Sequence, residues 1–329
     1  MIFILGGNGF IGSKLCEKIH IENRFDFRVI DKNLLPFNIH NAFCDIRSIN
    51  DLRNSISKCK AIINLAAEHR DDVSPISLYK EVNIDGAKNL CTVATEKNIN
   101  TIIFTSSVAV YGFAPLNTNE SGAIAPFNEY GRSKFEAEQI YKAWQLEKPE
   151  VRKLVIVRPT VVFGEKNRGN VFNLLRQIAS GKFMMIGNGE NRKSLAYVDN
   201  LASFLLHCTT AFNPGIHIYN YVDKPDTNMN DLVKTVNRLL GKTVDIKFRL
   251  PYPIGYAIGK CFDTLSFITG KKFAISSIRV KKFCSDSVFD TSVANTGFVP
   301  PVPLTEALER TIRYEFIDSH HDENVFFSE

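Results

Sequence analysis

Residues 2–12 read Ile2-Phe3-Ile4-Leu5-Gly6-Gly7-Asn8-Gly9-Phe10-Ile11-Gly12, an apolar run followed directly by a GxxGxxG pattern. The apolar run predicts a buried strand, and the pattern predicts a turn that opens into a helix. Glycine at such a turn lets a diphosphate approach the backbone, where the helix N-terminus offers N–H donors and a positive dipole end. A tight turn that binds nothing would need the same glycines, so the pattern alone leaves two interpretations. The predicted cofactor-binding residues of this turn are Gly6, Gly9, Phe10, Ile11 and Gly12.

The first half of the chain alternates short apolar runs with helical patterns. Strands are predicted at 2–5, 28–31, 61–66, 101–105 and 154–158, and helices at 11–20, 49–57, 79–97 and 133–144. This alternation predicts an α/β fold with a doubly wound, Rossmann-like parallel sheet. After Pro159 the alternation becomes irregular. We therefore predict a nucleotide-binding domain with the catalytic residues over 1–165, and a smaller substrate lobe over 166–329 that is partly interleaved with the sheet.

An acidic residue at the end of the second predicted strand supports a bound dinucleotide. Asp31 lies 22 residues after Gly9, close to the ~20-residue offset at which a carboxylate accepts the ribose 2′-OH. Because a carboxylate repels a 2′-phosphate, the sequence favours NAD over NADP as the cofactor. Further candidates for cofactor contact follow later strands, where small or polar residues let the backbone pass the ligand. They are Asp45, Ile46, Ala66, Ala67 and Pro159.

Composition excludes several classes of function. The 329 residues carry a formal net charge of only +5, which is too mild to predict nucleic-acid binding. No apolar run is long enough to predict a membrane-spanning helix, and no signal-peptide pattern is present. The seven cysteines form no CxxC motif, and the adjacent histidines of His320-His321-Asp322 point apart, so no metal site is predicted. Scattered thiols of this kind are typical of a reducing cytosol.

A YxxxK motif supplies the first candidate catalytic residues. Tyr130 and Lys134 are four residues apart, so on a helix they share one face. A free tyrosine has a pKa of about 10, and a neighbouring ammonium favours the phenolate, which makes Tyr130 a candidate base. Lys134 is also expected to hold the nicotinamide ribose, and both residues are predicted to contact the cofactor. Chance occurrence of this spacing on a surface helix is common, so the motif needs support from elsewhere.

That support comes from two serines that follow an apolar strand. Ser106 and Ser107 end the run 101–105, which places their hydroxyls at the carboxyl edge of the sheet, where ligands bind in such folds. One of the two hydroxyls can hydrogen-bond the substrate oxygen whose proton Tyr130 takes.

The three motifs together resemble the extended short-chain dehydrogenase/reductases, the NAD-dependent epimerase/dehydratase group. GxxGxxG, the SSxxVYG-like segment and YxxxK occur in the order of that family, and the resemblance covers essentially the whole chain. It implies that Ser107 is the catalytic hydroxyl and also contacts the substrate. Members that dehydrate or decarboxylate sugars carry an acid in the two positions after that hydroxyl, which here are Val108 and Ala109. The resemblance therefore implies C4 epimerisation of a sugar through a 4-keto intermediate, with a plain ketoreductase as the closest alternative.

Four further residues are candidates for substrate binding. Sugar-nucleotide epimerases of this family carry a GxGxxxRDF-like segment whose arginine holds the nucleotide diphosphate, and here Arg192 and Lys193 stand in that segment. A lysine still neutralises a diphosphate but lacks the bidentate fork of arginine. Glu68 and His69 follow the strand 61–66 and are expected to reach the cleft, where they bind substrate or form a local ion-pair network. Asn83 is expected to be structural.

Residues 250–282 combine an apolar helical pattern with a basic cluster. The cluster consists of Lys271, Lys272, Arg279, Lys281 and Lys282. An apolar helix beside basic side chains could lie on an anionic bilayer or hold a lipid tail. A packing helix followed by a solvated basic face is the alternative interpretation.

Segments 66–75, 183–185 and 250–253 resemble one narrow subfamily, the bacterial 4-epimerases that act on N-acetylglucosaminyl-diphospho-undecaprenol in O-antigen (lipopolysaccharide) biosynthesis. This resemblance implies that the chain interconverts GlcNAc and GalNAc on undecaprenyl diphosphate. It also implies a peripheral protein on the cytoplasmic side of the bacterial inner membrane. The family resemblance implies a homodimer as well. One alternative is a 4-epimerase or 4-ketoreductase acting on soluble UDP-sugars. A more remote alternative is a non-catalytic NAD-binding scaffold or redox sensor.

Overall fold

A computed structural model describes residues 1–23, 25–34, 41–70, 73–244, 246, 248–270, 273, 276–320 and 325–327. Its strands are β1 (Ile2–Leu5), β2 (Phe27–Asp31), β3 (Asn41–Phe43), β4 (Ala61–Asn64), β5 (Thr101–Thr105), β6 (Lys153–Pro159), β7 (Val161–Phe163), β8 (Met185–Ile186), β9 (Arg192–Tyr197), β10 (Gly215–Tyr221), β11 (Asp223–Asn228) and β12 (Arg249–Leu250). Its α-helices are α1 (Phe10–Glu22), α2 (Ile49–Ser55), α3 (Gly86–Glu96), α4 (Glu129–Leu146), α5 (Asn170–Ala179), α6 (Val198–His207), α7 (Met229–Leu239), α8 (Tyr252–Thr269), α9 (Ser277–Cys284) and α10 (Leu304–Phe316).

The main sheet has seven strands in the order β10-β6-β5-β4-β1-β2-β3, and every pairing in it is parallel. Apolar side chains cover both of its faces. In β1, Phe3 and Leu5 belong to one core cluster, while Ile2 and Ile4 belong to the other. A sheet buried on both faces needs strands that are apolar throughout, which is why β1 reads as an unbroken run. The predicted doubly wound α/β fold is confirmed.

Two predicted elements differ from the observed ones. The strand predicted at 61–66 ends at Asn64, because the Asn64 side chain accepts a hydrogen bond from the Ala66 N–H (3.0 Å) and turns the chain out of the sheet. The helix predicted at 79–97 is a π-helical segment, Tyr79–Asp85, followed by α3. Such π-helical segments are rare and are frequently found at functional sites.

The C-terminal half builds a second layer on the sheet. Strands β11, β9 and β7 form a three-stranded sheet, β12 pairs with β8, and helices α5, α7 and α10 enclose a separate apolar core. Strand β10 follows residue 165 but lies in the main sheet beside β6. The division into 1–165 and 166–329 therefore stays a prediction. Among the described helices, none has the length and apolar content that crossing a membrane requires.

Candidate active site

The glycine-rich turn after β1 brings two backbones into contact. Gly6 has φ +73°, and a Cβ on it would lie 2.7 Å from the Ala66 nitrogen. A Cβ on Gly12 would lie 2.5 Å from the Gly7 Cα. Gly9 caps α1 without a side-chain hydrogen bond, so the helix N-terminus presents backbone N–H groups, as an anion-binding turn requires.

Other residues hold that turn in place. Phe10 and Ile11 form the first turn of α1 and pack against the C-terminal core. Ala66 and Ala67 follow β4, and their small side chains keep the loop close to Gly6. Backbone and small residues thus line the carboxyl ends of β1 and β4, which is the surface that a dinucleotide diphosphate fits.

Asp31 lies at the carboxyl end of β2, beside this turn. Its two carboxylate oxygens accept hydrogen bonds from the Asn8 N–H (3.0 Å) and the Asn33 N–H (2.9 Å). An ionised carboxylate has about four acceptor positions, so two remain for ribose hydroxyl groups. The carboxylate and the glycine turn together fit NAD, as the sequence predicts.

The remaining predicted cofactor residues have structural partners. Asp45 pairs with Arg47 at 2.6 Å, and this hydrogen bond lowers the pKa of the Asp45 carboxyl. Ile46 is buried in the core beneath α3, where it packs on Gly86. Pro159 is buried at the end of β6. Contact of these three residues with the cofactor stays a prediction.

The structure separates the roles of the two serines. The Ser106 side chain is buried, and its hydroxyl donates a hydrogen bond to Glu138 at 2.6 Å. Ser107 is half-buried at the carboxyl edge of β5, and its hydroxyl accepts a hydrogen bond from the Ala109 N–H at 3.1 Å. The Ser107 hydroxyl therefore keeps its proton available for a substrate oxygen, whereas the Ser106 proton is committed to Glu138.

Helix α4 carries Tyr130 and Lys134. Asn128 caps it by accepting a hydrogen bond from the Gly131 N–H at 2.9 Å. A Cβ on Gly131 would lie 2.5 Å from the Ala109 carbonyl oxygen, so the helix start touches the 3₁₀ turn that Ser107 begins. This contact brings the predicted catalytic residues to one edge of the sheet.

Lys134 is almost completely buried, and its ammonium lies 4.6 Å from the centroid of the Phe104 ring. Burial lowers the pKa of Lys134 to about 7, although the Glu138 carboxylate raises it. A lysine in this state responds strongly to a nearby negative charge, because little water screens the interaction. A phenolate at Tyr130 and the charged form of Lys134 therefore favour each other.

Asn83 ties the loop after β4 to the helix of Tyr130. Its amide accepts from the Glu68 N–H and donates to the Glu68 carbonyl, both at 2.9 Å, and it also donates to the Ser133 hydroxyl at 2.9 Å. Ser133 in turn donates to the Tyr130 carbonyl at 2.9 Å. Asn83 is therefore a positioning residue, and the π-helical segment that contains it directs its side chain between the two elements.

Glu68 and His69 lie in the loop that Asn83 holds. His69 is exposed, but the surrounding protein removes part of the water around its imidazole, and this loss of hydration lowers the pKa of His69. The Glu68 carboxylate opposes that shift, and the positive charge of Lys134 adds to it. The Glu68 carboxylate lies 3.7 Å from Arg70, as a local ion pair requires. The following residues, Asp71 and Asp72, lie outside the described residues.

Arg192 and Lys193 lie in β9, in the C-terminal layer. The Lys193 ammonium donates to the carbonyls of Lys282 (2.8 Å) and Ser285 (2.6 Å), where it closes the C-terminus of α9. Burial lowers the pKa of Lys193 to about 8. The Arg192 side chain is exposed, and the backbone N–H of Arg192 donates to the Asp286 carboxylate. Their binding of a diphosphate stays a prediction, and Lys193 has a structural role that the sequence analysis missed.

A buried ion pair lies directly behind the site. Arg158 donates two hydrogen bonds to Glu138, at 2.8 and 2.6 Å, and a third to the Tyr111 hydroxyl at 2.6 Å. Tyr111 donates in turn to Asn220. This network joins α4, β6, β10 and the 3₁₀ turn Val108–Tyr111. Glu138 occurs four residues after Lys134 on the same helix. That spacing places both side chains on one face of α4, and it could have indicated from the sequence that Glu138 lies near the site.

Metal ligands are not grouped at this site. Among residues that the structure describes, no cluster of three or more histidine, cysteine, aspartate or glutamate side chains could hold a metal ion. Of the sequence His320-His321-Asp322, the last two residues lie outside the described ranges.

Comparison with known proteins agrees with this geometry. Residues 2–221 match the NAD dependent epimerase/dehydratase family. The chain is 46% identical, over 100% of its length and 99% of the other, to the N-acetyl-alpha-D-glucosaminyl-diphospho-ditrans,octacis-undecaprenol 4-epimerase of Escherichia coli O157:H7. It is 26% identical to the UDP-glucose 4-epimerase of Vibrio cholerae, over 94% of each chain.

A solved structure gives the same fold. The UDP-glucuronic acid 4-epimerase of Bacillus cereus in complex with NAD superposes with a TM-score of 0.72 at 20% identity, over 95% of this chain and 98% of the other. The chain belongs to the NAD dependent epimerase/dehydratase family, and NAD is its cofactor.

Proposed function

We propose that this protein is an NAD-dependent 4-epimerase that interconverts GlcNAc and GalNAc while the sugar is attached to undecaprenyl diphosphate, in the synthesis of a surface polysaccharide such as O-antigen. One observation carries the proposal: 46% identity along the whole chain to a protein named as an epimerase of that substrate. The arrangement of Ser107, Tyr130 and Lys134 at one sheet edge supports it, because these residues provide the acid–base chemistry that the reaction needs.

The reaction follows from the side chains present. Bound NAD supplies a hydride acceptor and, in the reverse step, a hydride donor. The Ser107 hydroxyl holds the C4 oxygen by a hydrogen bond, and Tyr130 takes the proton of the C4 hydroxyl as the alcohol becomes a ketone. Lys134 stabilises the phenolate form of Tyr130. When the 4-keto sugar has turned its other face, Tyr130 returns the proton to the C4 oxygen and the epimer is complete.

The two residues after Ser107 supply no second acid or base for elimination. Elimination of water would need a second acid or base near the sugar, and the two following positions are Val108 and Ala109. Neither side chain can transfer a proton. A 4-ketoreductase would use the same three residues, so the fate of the cofactor separates the two activities: an epimerase regenerates it in each cycle.

The direct test of the proposal supplies two substrates without added nicotinamide. Purified protein is incubated with GlcNAc-diphospho-undecaprenol and, separately, with UDP-GlcNAc, and the sugars released by mild acid are identified. We expect GalNAc from the lipid-linked substrate, formed with the NAD that the protein retains. Conversion of UDP-GlcNAc alone would leave the epimerase chemistry in place and contradict the polyprenyl carrier. Absence of conversion with both would contradict the epimerase.

We also propose that α8 holds the protein at the cytoplasmic face of the inner membrane. Gly255 and Gly259 are the buried residues of this helix. A Cβ on Gly259 would lie 2.7 Å from the Ser277 backbone at the start of α9, and a Cβ on Gly255 would lie 2.8 Å from the Ile186 side chain in β8. The opposite side is apolar and exposed. Its residues, spaced by four and three, are Ile254, Ile258, Cys261, Leu265 and Ile268.

Charge and redox state fit that location. Helix α9, on which α8 packs at Gly259, carries Arg279, Lys281 and Lys282. An apolar helix with basic residues on its neighbour is a pairing that binds an anionic bilayer surface. Lys271 and Lys272, the other two members of the predicted basic cluster, lie outside the described residues.

All seven cysteines are free thiols, in keeping with the reducing cytosol. The homodimer that the family resemblance implies stays a prediction.

Replacing Ile258 and Leu265 with glutamate should release the protein from vesicles. Each substitution removes an apolar side chain from the proposed contact and adds a charge of the same sign as the lipid, so we expect vesicle binding to fall at least roughly tenfold. Co-sedimentation with vesicles of anionic and zwitterionic phospholipid measures it. Ile21→Glu is the control, because Ile21 is also an exposed apolar residue, at 73% exposure, but lies on α1. Equal binding of the double variant and the control would contradict the role of α8.

A further inference from the structure

Two exposed phenylalanines lie next to the catalytic residues and have no part in the chemistry described above. The Phe113 and Phe127 rings contact each other with centroids 4.9 Å apart. Their residues are 57% and 46% exposed, so a large part of each is open to solvent. Two exposed aromatic rings in contact are an unusual feature of a free surface, because burial of such rings is strongly favourable.

Two lysines of α9 lie over these rings. The Lys281 ammonium is 5.5 Å from the Phe113 centroid, and the Lys282 ammonium is 4.6 Å from the Phe127 centroid. Within the described part of the chain, neither lysine forms an ion pair with a carboxylate. The four residues, which we call the aromatic–lysine platform, therefore combine apolar area with two positive charges that lack a protein counter-charge.

The platform lies close to the catalytic residues. Phe127 is three residues before Tyr130, so their Cα atoms are at most ~11 Å apart. Phe113 follows Gly112, which ends the turn begun by Ser107, and a Cβ on Gly112 would lie 3.6 Å from the Phe127 nitrogen. Both rings thus sit where the two catalytic segments meet the C-terminal layer. In a hexose whose C4 lies at Tyr130, C1 and its diphosphate lie on the opposite side of the ring, within reach of this position.

We propose that the aromatic–lysine platform binds the carrier of the sugar: Lys281 and Lys282 neutralise the diphosphate, and Phe113 and Phe127 pack against the first isoprene units. This proposal rests on the proposed function and names the site of its substrate's carrier. Ammonium groups bind phosphate oxygens by charge-assisted hydrogen bonds. Isoprene units are apolar and flat around their double bonds, which suits contact with aromatic rings. A nucleotide would instead place a polar base and ribose here.

The position of α9 adds a reason for this assignment. The same helix that carries Lys281 and Lys282 packs against α8, the proposed membrane contact. A carrier whose lipid tail remains in the bilayer would leave the membrane beside α8 and reach Tyr130 by passing α9. The platform lies on that path, between the exposed apolar side of α8 and the catalytic segments.

Binding of three probes to the NAD-loaded protein tests the proposal. The probes are farnesyl diphosphate, inorganic diphosphate and UDP, measured by titration calorimetry in detergent so that membrane contact plays no part. Lys281→Ala/Lys282→Ala should weaken both farnesyl diphosphate and inorganic diphosphate, by roughly 10- to 100-fold. Phe113→Ala/Phe127→Ala should weaken farnesyl diphosphate and leave inorganic diphosphate unchanged.

Turnover provides the second measurement. With GlcNAc-diphospho-undecaprenol, both double variants should raise KM and leave kcat close to wild type, because neither pair touches the C4 atom. Arg176→Ala is the matched control: Arg176 also lies over a phenylalanine ring, at 5.5 Å from Phe172, but on α5. It should behave as wild type in every assay.

The outcomes separate the two proposals. Equal loss of UDP and farnesyl diphosphate binding in the phenylalanine variant would show a platform for a nucleobase and overturn the inference. Unchanged binding of farnesyl diphosphate in both variants would also overturn it, even if the wild type turned over the lipid-linked sugar. If the wild type failed to turn over that substrate, the proposed function would fall, and the titrations would still decide whether the platform binds an isoprenoid diphosphate.

Discussion

Tyr130→Phe should lower kcat by ~10²–10⁴-fold, the usual contribution of a positioned acid–base group. Phenylalanine keeps the ring in place and removes only the hydroxyl that transfers the proton. Tyr130 is half-buried at the start of α4, and Asn128 caps that helix, so we expect the variant to fold. NAD should therefore remain bound, because the glycine turn and Asp31 are unchanged.

Two measurements on the same preparation check this result. Epimerisation of the lipid-linked sugar gives kcat, and release of the cofactor by denaturation gives the NAD content per chain. Tyr219→Phe is the matched control, since Tyr219 lies in β10 among aromatic side chains away from Tyr130. A Tyr130→Phe protein that retained a tenth or more of the activity would remove Tyr130 from the mechanism. A non-catalytic scaffold would have no turnover to lose.

The second large effect concerns stability. Glu138→Ala should lower the free energy of unfolding by ~3–5 kcal/mol, the range found when one partner of a buried ion pair is removed. Glu138 and Arg158 are both buried to within 2% of full burial, so the substitution would leave the guanidinium charged and without its counter-charge. It would also remove the acceptor of the Ser106 hydroxyl.

Urea unfolding followed by circular dichroism measures the change. Glu136→Ala is the matched control: Glu136 lies two residues away on α4 and pairs with Arg132 at 2.7 Å, but both side chains are exposed, and such pairs contribute ~0–1 kcal/mol. Replacing both partners by Glu138→Leu and Arg158→Met should recover much of the lost stability, because no buried charge then lacks a partner. If Glu138→Ala cost no more than Glu136→Ala, the ion pair would not be what joins α4 to the sheet.

The sequence predicted five of the seven strands of the main sheet to within two residues at each end, because their signal is local, whereas β3 and β10 were not predicted. Each strand is an apolar run with a glycine or polar break at its end, and burial on both faces requires that pattern in every buried strand. Two elements differ from their predicted form. The Asn64 side chain ends β4 early, and Asn83 occurs in a π-helical segment rather than in a continuous α-helix.

The residues of the candidate site likewise fall into two groups: those that the sequence indicates and those that only the structure shows. GxxGxxG, the serine pair and YxxxK are each a pattern of a few neighbouring residues, so their spacing and their order along the chain were sufficient to propose them. The structural role of Lys193 could not be found in this way, since its ammonium binds carbonyls of residues 282 and 285, almost a hundred positions later. Phe113 and Lys281, which are also in contact, are still further apart in sequence.

The amino-acid sequence by itself determined the doubly wound sheet, the dinucleotide turn and the identity of the tyrosine and lysine, because strand burial, backbone approach and helix spacing are local properties. Only the tertiary structure gives a physical reason for preferring Ser107 to Ser106, since the Ser106 hydroxyl donates to Glu138 on another element. It also decided that Asn83 positions the catalytic helix and that lysines of α9 face the exposed aromatic rings. These features depend on contacts between segments far apart in the chain, and such contacts exist only once the apolar core has brought those segments together.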